Sequence, residues 1–85
     1  MTADEMRRLV EKYNYELCHQ DIDYINTKII EKASAGFEVY HYEMPIKNLD
    51  KRNYIIKYYQ TCGFEVSQHA SNDTTIIIAI SWRRD

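Results

Sequence analysis

The sequence predicts an α+β fold: a long N-terminal helix followed by a split β-α-β unit, with a three-stranded mixed sheet in the order 1-3-2. Residues 3–35 contain neither glycine nor proline, which favours one long helix. Two later segments, residues 37–43 and 64–69, alternate apolar and polar side chains as strands do. The last strand segment, residues 74–82, is almost continuously apolar. We therefore expect it to be the central strand, with both helices on one face of the sheet.

Composition bounds the chain to a small folded unit. Its 85 residues are 45% hydrophobic and 28% charged, which suits one α+β domain over residues 1–85 with its own core. Only two glycines and one proline are present, which excludes linker-rich and low-complexity classes. The formal net charge of −2 differs from the basic balance of a dedicated DNA-binding domain. The eight tyrosines are an unusual number, and tyrosine is common at binding surfaces.

The first helix is expected over residues 3–35. Thr2 followed by Glu5 fits a capping box, and Gly36 fits the left-handed position after a helix. The apolar residues of this helix form two stripes rather than one. The first stripe consists of Met6, Leu9, Val10, Tyr13, Leu17 and Tyr24, and the second of Cys18, Ile22, Ile25, Ile29 and Ala33.

Two structures explain the two stripes. Either the helix breaks near residues 19–21 and both halves pack on one core, or the helix is continuous. A continuous helix presents its C-terminal half to its own sheet and its N-terminal half to a second chain. No helix-breaking residue lies within residues 17–23, which favours the continuous helix.

The middle of the chain predicts a strand and a second helix. In residues 37–43, alternation places one set of side chains on each face, and Pro45 is expected to end the strand. The two sets are Phe37, Val39 and His41 on one face and Tyr40, Tyr42 and Met44 on the other. Residues 48–61 predict a helix between Asn48 as N-cap and Gly63 as C-terminal glycine. Its expected core face consists of Leu49, Ile55, Ile56 and Tyr59.

The last two strand segments predict an antiparallel hairpin around a turn at residues 70–73. Phe64 and Val66 are expected to point inward. With the last strand central, the other two strands flank it and run parallel to each other, joined by a right-handed crossover. The uncovered sheet face would then show Tyr40, Tyr42, Glu65, Ile77 and Ala79. Because so small a core is marginal, a homodimer is attractive.

Chemistry-bearing residues are scattered rather than grouped. The histidines lack metal-ligand spacing, and the cysteines form no CxxC pair, so the thiols are expected to be reduced core residues. The carboxylates are expected on the solvated surface. The residues concerned are His19, His41, His69, Cys18, Cys62, Asp21, Asp23, Glu38 and Glu43. We therefore expect no enzyme activity, no catalytic residue, no metal and no cofactor.

The first stripe of the first helix is the strongest signal for a partner. Met6, Val10, Tyr13, Leu17 and Tyr24 recur at intervals of 4, 3, 4 and 7 residues, a spacing like that of a coiled coil. Tyrosine at such positions supplies contact area together with a polar group. Self-contact in a two-fold dimer is the simplest use of the stripe, and a foreign partner is the other. The structural alternative is an intrachain core formed after a kink.

A second candidate surface lies on the second helix. Lys47, Lys51, Tyr54, Lys57 and Tyr58 form a basic stripe interleaved with tyrosines, a pattern that can bind phosphates and stack bases. Arg52 and the tail residues Arg83 and Arg84 would extend it. This stripe is a candidate binding face for protein or phosphate. The structural alternative is an ordinary solvated helix face, and with a net charge of −2 nucleic acid is the less favoured partner.

Three short motifs resemble those of small accessory proteins encoded by tailed bacteriophages. The first is the I-x-x-A-x-x-G ending of the first helix, within Ile29 to Gly36. The second is Cys-Gly-Phe-Glu-Val at residues 62–66, and the third is the closing Ile-Ala-Ile-Ser-Trp at residues 78–82. The resemblance spans residues 22–82, and Phe64 stands where the family has tyrosine. It implies a phage context, in which small proteins often bind and disable a host protein, as anti-CRISPR proteins do. It carries over no catalytic residue.

Together these patterns predict a non-enzymatic protein-protein interaction module, an inhibitor of a host defence protein that acts by masking its surface. The expected anchors are Tyr13, Tyr24, Tyr54 and Tyr58, since aromatic residues dominate binding hot spots. The alternative is a nucleic-acid- or nucleotide-binding accessory protein that uses the second helix. The charged N-terminus lacks the apolar core of a signal peptide, so we expect the host cytoplasm and no membrane partner.

Overall fold

The computed structural model describes residues 1–83 and confirms the α+β class. The elements are α1 (Ala3–Ser34), β1 (Val39–Pro45), α2 (Leu49–Thr61), β2 (Glu65–Ala70) and β3 (Thr75–Ser81). Their ends differ from the expected ones by no more than two residues. The sheet order is β1-β3-β2, so β3 is the central strand as predicted.

The prediction of a mixed sheet is wrong, because β3 is antiparallel to both of its neighbours. A mixed sheet needs a hydrogen-bonded parallel pair. The strands joined through α2 are β1 and β2, and β3 lies between them, so they form no ladder with each other. The right-handed split β-α-β connection stays a prediction.

Strand register places the core on one face of the sheet. Tyr40 is opposite Ile80 and Met44 is opposite Ile76 in the β1–β3 ladder. Because side chains alternate along a strand, Tyr42 shares this face and packs against the core. The prediction that Tyr40 and Tyr42 lie on the uncovered face is therefore wrong. The opposite face carries Glu65, Ile77 and Ala79, as expected.

Both helices contribute to the same core. The buried cluster consists of Ile25 from α1, Ile55 and Tyr59 from α2, and Tyr40, Met44, Ile76, Ile78 and Ile80 from the sheet. Phe64 and Val66 pack against it, as predicted. The Tyr59 hydroxyl lies 2.7 Å from Asn26 Oδ1 and 3.3 Å from the Ile22 carbonyl oxygen, which ties α2 to α1 at the base of the core.

Helix α1 is continuous over 32 residues, so the alternative with a break near residues 19–21 is wrong. The Thr2 hydroxyl accepts a hydrogen bond from the Glu5 amide, as expected of an N-cap. Gly36 ends the helix at φ +88°, and the Phe37 amide donates to the Lys32 carbonyl at 2.9 Å. A helix of this length spans about 48 Å. That length matches the 49 Å longest dimension of the molecule.

Helix α2 departs from expectation at its first turn. Asn48 precedes the helix, but its side chain makes no capping hydrogen bond. Leu49 is 51% exposed rather than part of the core. It lies six residues before Ile55, which places the two side chains about 120° apart around the helix. Gly63 follows α2 at φ +96°, as predicted for a C-terminal glycine.

Within residues 1–83, none of the helices combines the length and the apolar character that crossing a bilayer requires.

Candidate functional site

The N-terminal part of α1, residues 3–17, carries a row of exposed apolar side chains; we call this segment the arm. Val10 is 58% exposed and Tyr13 60% exposed, and Met6 and Leu17 are each 39% exposed. The buried residues of α1 are Cys18, Ile22 and Ile25, all of which follow the arm. The two stripes of the sequence therefore have different environments: the second faces the core from Cys18 to Ile29 but is exposed at Ala33, and the first is exposed.

A groove of about 680 Å³ lies between the arm and the outer face of α2. Its walls include Val10, Glu11, Tyr13 and Asn14 from α1, and Asp50, Asn53, Tyr54, Lys57 and Tyr58 from α2. We call it the α1–α2 groove. It unites residues from both candidate surfaces of the sequence, which lie more than thirty positions apart along the chain.

The tyrosines of α2 form a chain of ring contacts that leads from the groove to the core. The ring centroids of Tyr54 and Tyr58 are 6.4 Å apart, and Tyr58 meets Tyr59 edge-on at 5.0 Å. Tyr59 is almost completely buried. Burial raises the pKa of the Tyr54 hydroxyl, and the nearby Cys18, Tyr58, Tyr15 and Glu11 raise it further. Tyr54 therefore stays a neutral hydrogen-bonding group at the groove wall.

An ion pair connects α2 to α1. Lys51 Nζ lies 3.0 Å from Asp21 Oδ2, and the Tyr42 hydroxyl donates to Asp21 Oδ1 at 2.6 Å. Burial alone would raise the pKa of Asp21, but the hydrogen bonds from Tyr42 and Lys51 outweigh it and lower the pKa. Two expectations are corrected here. Asp21 is not simply solvated surface, and Lys51 faces α1 because its charge is paired there.

A smaller recess adjoins the groove on the side of the first turn of α2. It encloses about 460 Å³ and is lined by Tyr13, Leu17, Lys47, Asn48, Leu49, Asp50 and Lys51. We call it the side notch. The exposed Leu49 therefore belongs to the same surface as the apolar stripe of the arm.

Tyr24 does not join the groove. It is 52% exposed, its ring lies 6.2 Å from that of Tyr42, and Lys28 Nζ lies 5.6 Å from its centroid. It belongs to the half of α1 that crosses the sheet, so the surface that the sequence predicts from Met6 to Tyr24 is divided. Met6 lies on the arm beyond the groove.

The proposed arginine extension of the basic stripe has little structural support. Arg52 is partly buried, and its Nε atom is buried without a hydrogen-bond partner among the described residues. Arg83 lies 3.7 Å from the Glu38 carboxylate, next to β1 rather than α2. Arg84, the other tail residue of the prediction, lies outside the described residues.

The two cysteines differ in their environments: Cys18 is buried and Cys62 is exposed. Burial raises the pKa of the Cys18 thiol, which lowers its thiolate fraction. Cys62 is exposed, so its prediction as a core residue is wrong; it follows the last turn of α2, where the chain turns to β2. Among residues 1–83, no group of His, Cys, Asp and Glu could hold a metal ion.

Sequence reasoning missed the polar residues of the groove. Glu11 and Asp50 add carboxylates to the groove that Lys57 also lines, and Asn14 and Asn53 add amides. A signal was present on α2, since Asp50, Tyr54, Lys57, Tyr58 and Thr61 share one face at helical spacing. The α1 side had no such signal, because its pairing with α2 depends on the angle at which the helices cross.

The comparisons with known proteins provide no relative: no protein-family model, no curated protein and no solved structure matches this chain. Its function is therefore inferred from the geometry of the groove and the chemistry of its walls.

Proposed function

We propose that this chain is a small, non-enzymatic protein-binding module that masks a surface of another protein. The contact surface is the outer face of α2 together with the α1–α2 groove. One observation carries the proposal: Tyr13, Tyr54 and Tyr58 line the same groove, whose volume is about 680 Å³. Aromatic side chains in recessed positions supply much of the energy of protein interfaces.

The groove has the composition of an interface centre with a polar rim. Tyr54 and Tyr58 are partly buried, and Tyr58 packs against the core, so they lose little conformational freedom when a partner binds. Lys57, Glu11 and Asp50 give the rim charges of both signs. Such a rim contributes orientation and partner choice more than affinity.

The target is a bacterial host protein. The resemblance to tailed-phage accessory proteins supports an inhibitor of a host defence system, anti-CRISPR-like in its action, that works in the cytoplasm of the host cell. Masking needs no catalytic group, which agrees with a surface built from tyrosines and single charges. It needs only that the module cover a site that the target uses.

Nucleic acid is the weaker alternative as a ligand. Lys51, central to the predicted phosphate-binding stripe, is engaged by Asp21 at 3.0 Å. A phosphate in the groove would meet Lys57 but also the carboxylates of Glu11 and Asp50. Binding to a phosphate backbone depends on releasing counterions from several cationic contacts. This surface offers few of them.

Affinity capture from a bacterial lysate tests the proposal. The tagged chain is used with and without nuclease treatment, and bound proteins are identified by mass spectrometry. We expect one host protein at a stoichiometric level that survives nuclease. Recovery that disappears with nuclease would favour the nucleic-acid alternative and contradict the protein-binding function.

Matched variants test whether the captured protein binds at the groove. Tyr54→Ala removes an anchor, and Lys57→Glu reverses an exposed rim charge without touching the core. Phe37→Ala is the control, because Phe37 is a 55% exposed aromatic residue at the far end of α1. We expect both groove variants to lose the captured protein and the control to retain it. Equal capture by all three folded variants would contradict the assignment of the surface.

A further inference from the structure

We propose that the arm pairs with the arm of a second copy of this chain, antiparallel and about a two-fold axis. Met6 of each copy packs against Leu17 of the other, and Val10 packs against Tyr13. The pairing goes beyond the proposed function, because it concerns the arm and the side notch. It covers Val10 and Tyr13, which also form the α1 wall of the groove, and leaves the α2 wall with Tyr54, Lys57 and Tyr58 free to bind the target.

The surface area of the chain supports a second copy. A compact monomer of 10.2 kDa exposes about 5,300 Å². This chain exposes 6364 Å², an excess of about 1,000 Å² over the compact value. A standard protein-protein interface buries about 800 Å² on each partner. The excess is therefore of the size that one dimer interface removes.

The shape of the chain locates that excess on the arm. The radius of gyration is 14.2 Å, whereas a compact chain of this length has about 12 Å. The arm covers residues 3–17, and all of its residues except Asn14 are exposed. It therefore carries its apolar side chains with little support from the rest of the chain.

The spacing of the apolar residues on the arm is self-complementary. Met6 and Val10 are four residues apart, and so are Tyr13 and Leu17. In an antiparallel pair, the register that sets Met6 against Leu17 therefore also sets Val10 against Tyr13. Two-fold symmetry repeats both contacts, so one stripe supplies both sides of the interface.

Charge is compatible with the antiparallel direction. In the antiparallel register, Arg7 of the second copy comes to the side of the arm that carries Asn14. There it would lie close to the carboxylate of Asp50. Its present partner Asp4, at 2.8 Å in an exposed ion pair, is readily exchanged.

The side notch is occupied in the same register. The second copy's Met6 lies level with Leu17, which forms one wall of the notch. Leu49, 51% exposed in the single chain, forms another wall and is covered by the incoming helix. One arrangement thus accounts for the exposed stripe, the recess beside it and the exposed first residue of α2.

The mass of the protein in solution tests the pairing. Sedimentation equilibrium of the full chain should give about twice 10.2 kDa. Val10→Lys places a charge at the centre of the pair and should raise the dissociation constant at least about tenfold. Tyr15→Lys is the matched control: Tyr15 is 59% exposed, close to the 58% of Val10, but lies on the other side of the arm. It should remain dimeric.

Cross-linking tests the register, in chains that also carry Cys62→Ser. Chains with Val10→Cys mixed with chains with Tyr13→Cys should form the mixed disulfide, because these positions face each other across the two-fold axis. A wild-type mass of 10.2 kDa at high concentration would overturn the proposal. So would an unchanged dimer in Val10→Lys, or a disulfide that forms only between two Val10→Cys chains. None of these readouts requires the host target, so their failure leaves the proposed function intact.

Discussion

Lys51 and Asp21 form an ion pair at 3.0 Å that connects the first turns of α2 to the middle of α1. The two side chains are only 23% and 19% exposed, and Tyr42 adds a hydrogen bond from β1 to the same carboxylate. Three elements thus converge on one side chain. This contact connects α2 to α1 and β1.

Removing Asp21 should destabilise the fold. Asp21→Ala leaves the Lys51 ammonium and the Tyr42 hydroxyl without their acceptor, which costs about 1–3 kcal/mol of unfolding free energy. Asp23→Ala is the control, because Asp23 is exposed on the same helix. Urea unfolding followed by circular dichroism measures both. Equal stability of the two variants would show that the ion pair contributes nothing.

The same contact should respond to acid. The pKa of Asp21 is lowered below its ordinary value of 3.8, so the stabilisation is complete above that value and is lost as the pH falls through the lowered pKa. The difference in unfolding free energy between wild type and Asp21→Asn should therefore shrink between about pH 6 and about pH 3. A difference that is constant or grows toward acid would contradict the lowered pKa.

Alkali should destabilise the fold through the buried tyrosines. Burial, the neighbouring Tyr24 and the Glu31 carboxylate raise the pKa of Tyr40 to about 12. The contribution of neutral Tyr40 to the free energy of unfolding is complete below pH 10 and is lost as the pH rises from there toward 12. We expect stability to fall in this range, and to fall less in Tyr40→Phe. Equal losses in the two proteins would contradict the prediction.

Gly63 should resist substitution for a backbone reason alone. Its φ of +96° lies in the left-handed region, and an added Cβ would meet no atom within 4 Å. Gly63→Ala should therefore cost about 1–2 kcal/mol through backbone strain, without a packing defect. Thermal unfolding of Gly63→Ala and Gly63→Asn measures this cost. Asparagine tolerates this region better, so a larger loss in Gly63→Asn would contradict the explanation.

Much of the fold could be predicted from short sequence patterns, because tertiary contacts do not change the secondary structure that these patterns favour. Gly36 and Gly63 mark helix ends because only glycine adopts their positive φ readily. The apolar run from Ile76 to Ile80 marks the central strand, because only a strand between two neighbours is covered so fully. The hairpin turn correctly predicted that β2 and β3 are antiparallel, whereas the description of the whole sheet as mixed was wrong.

The site was harder to predict, because it depends on how two helices cross. The first stripe of α1 and the tyrosines of α2 were both visible in the sequence, but their meeting at Tyr13 and Tyr54 was not. Helical periodicity gives the face of a residue and not the neighbour that covers that face. Lys51 is an example. Its spacing places it on the outer stripe of α2, but its side chain turns toward α1 because it pairs with Asp21.

Binding of the captured host protein to purified variants tests the proposed function most directly. Calorimetric titrations of wild type, Tyr54→Ala and Phe37→Ala would be run at about 50 mM and about 200 mM salt, the range over which phosphate binding weakens by orders of magnitude. We predict at least a tenfold loss of affinity (about 1.4 kcal/mol) for Tyr54→Ala only, and little change with salt. Undiminished binding by folded Tyr54→Ala, or an equal loss of affinity in Phe37→Ala, would contradict a protein-binding surface built on α2.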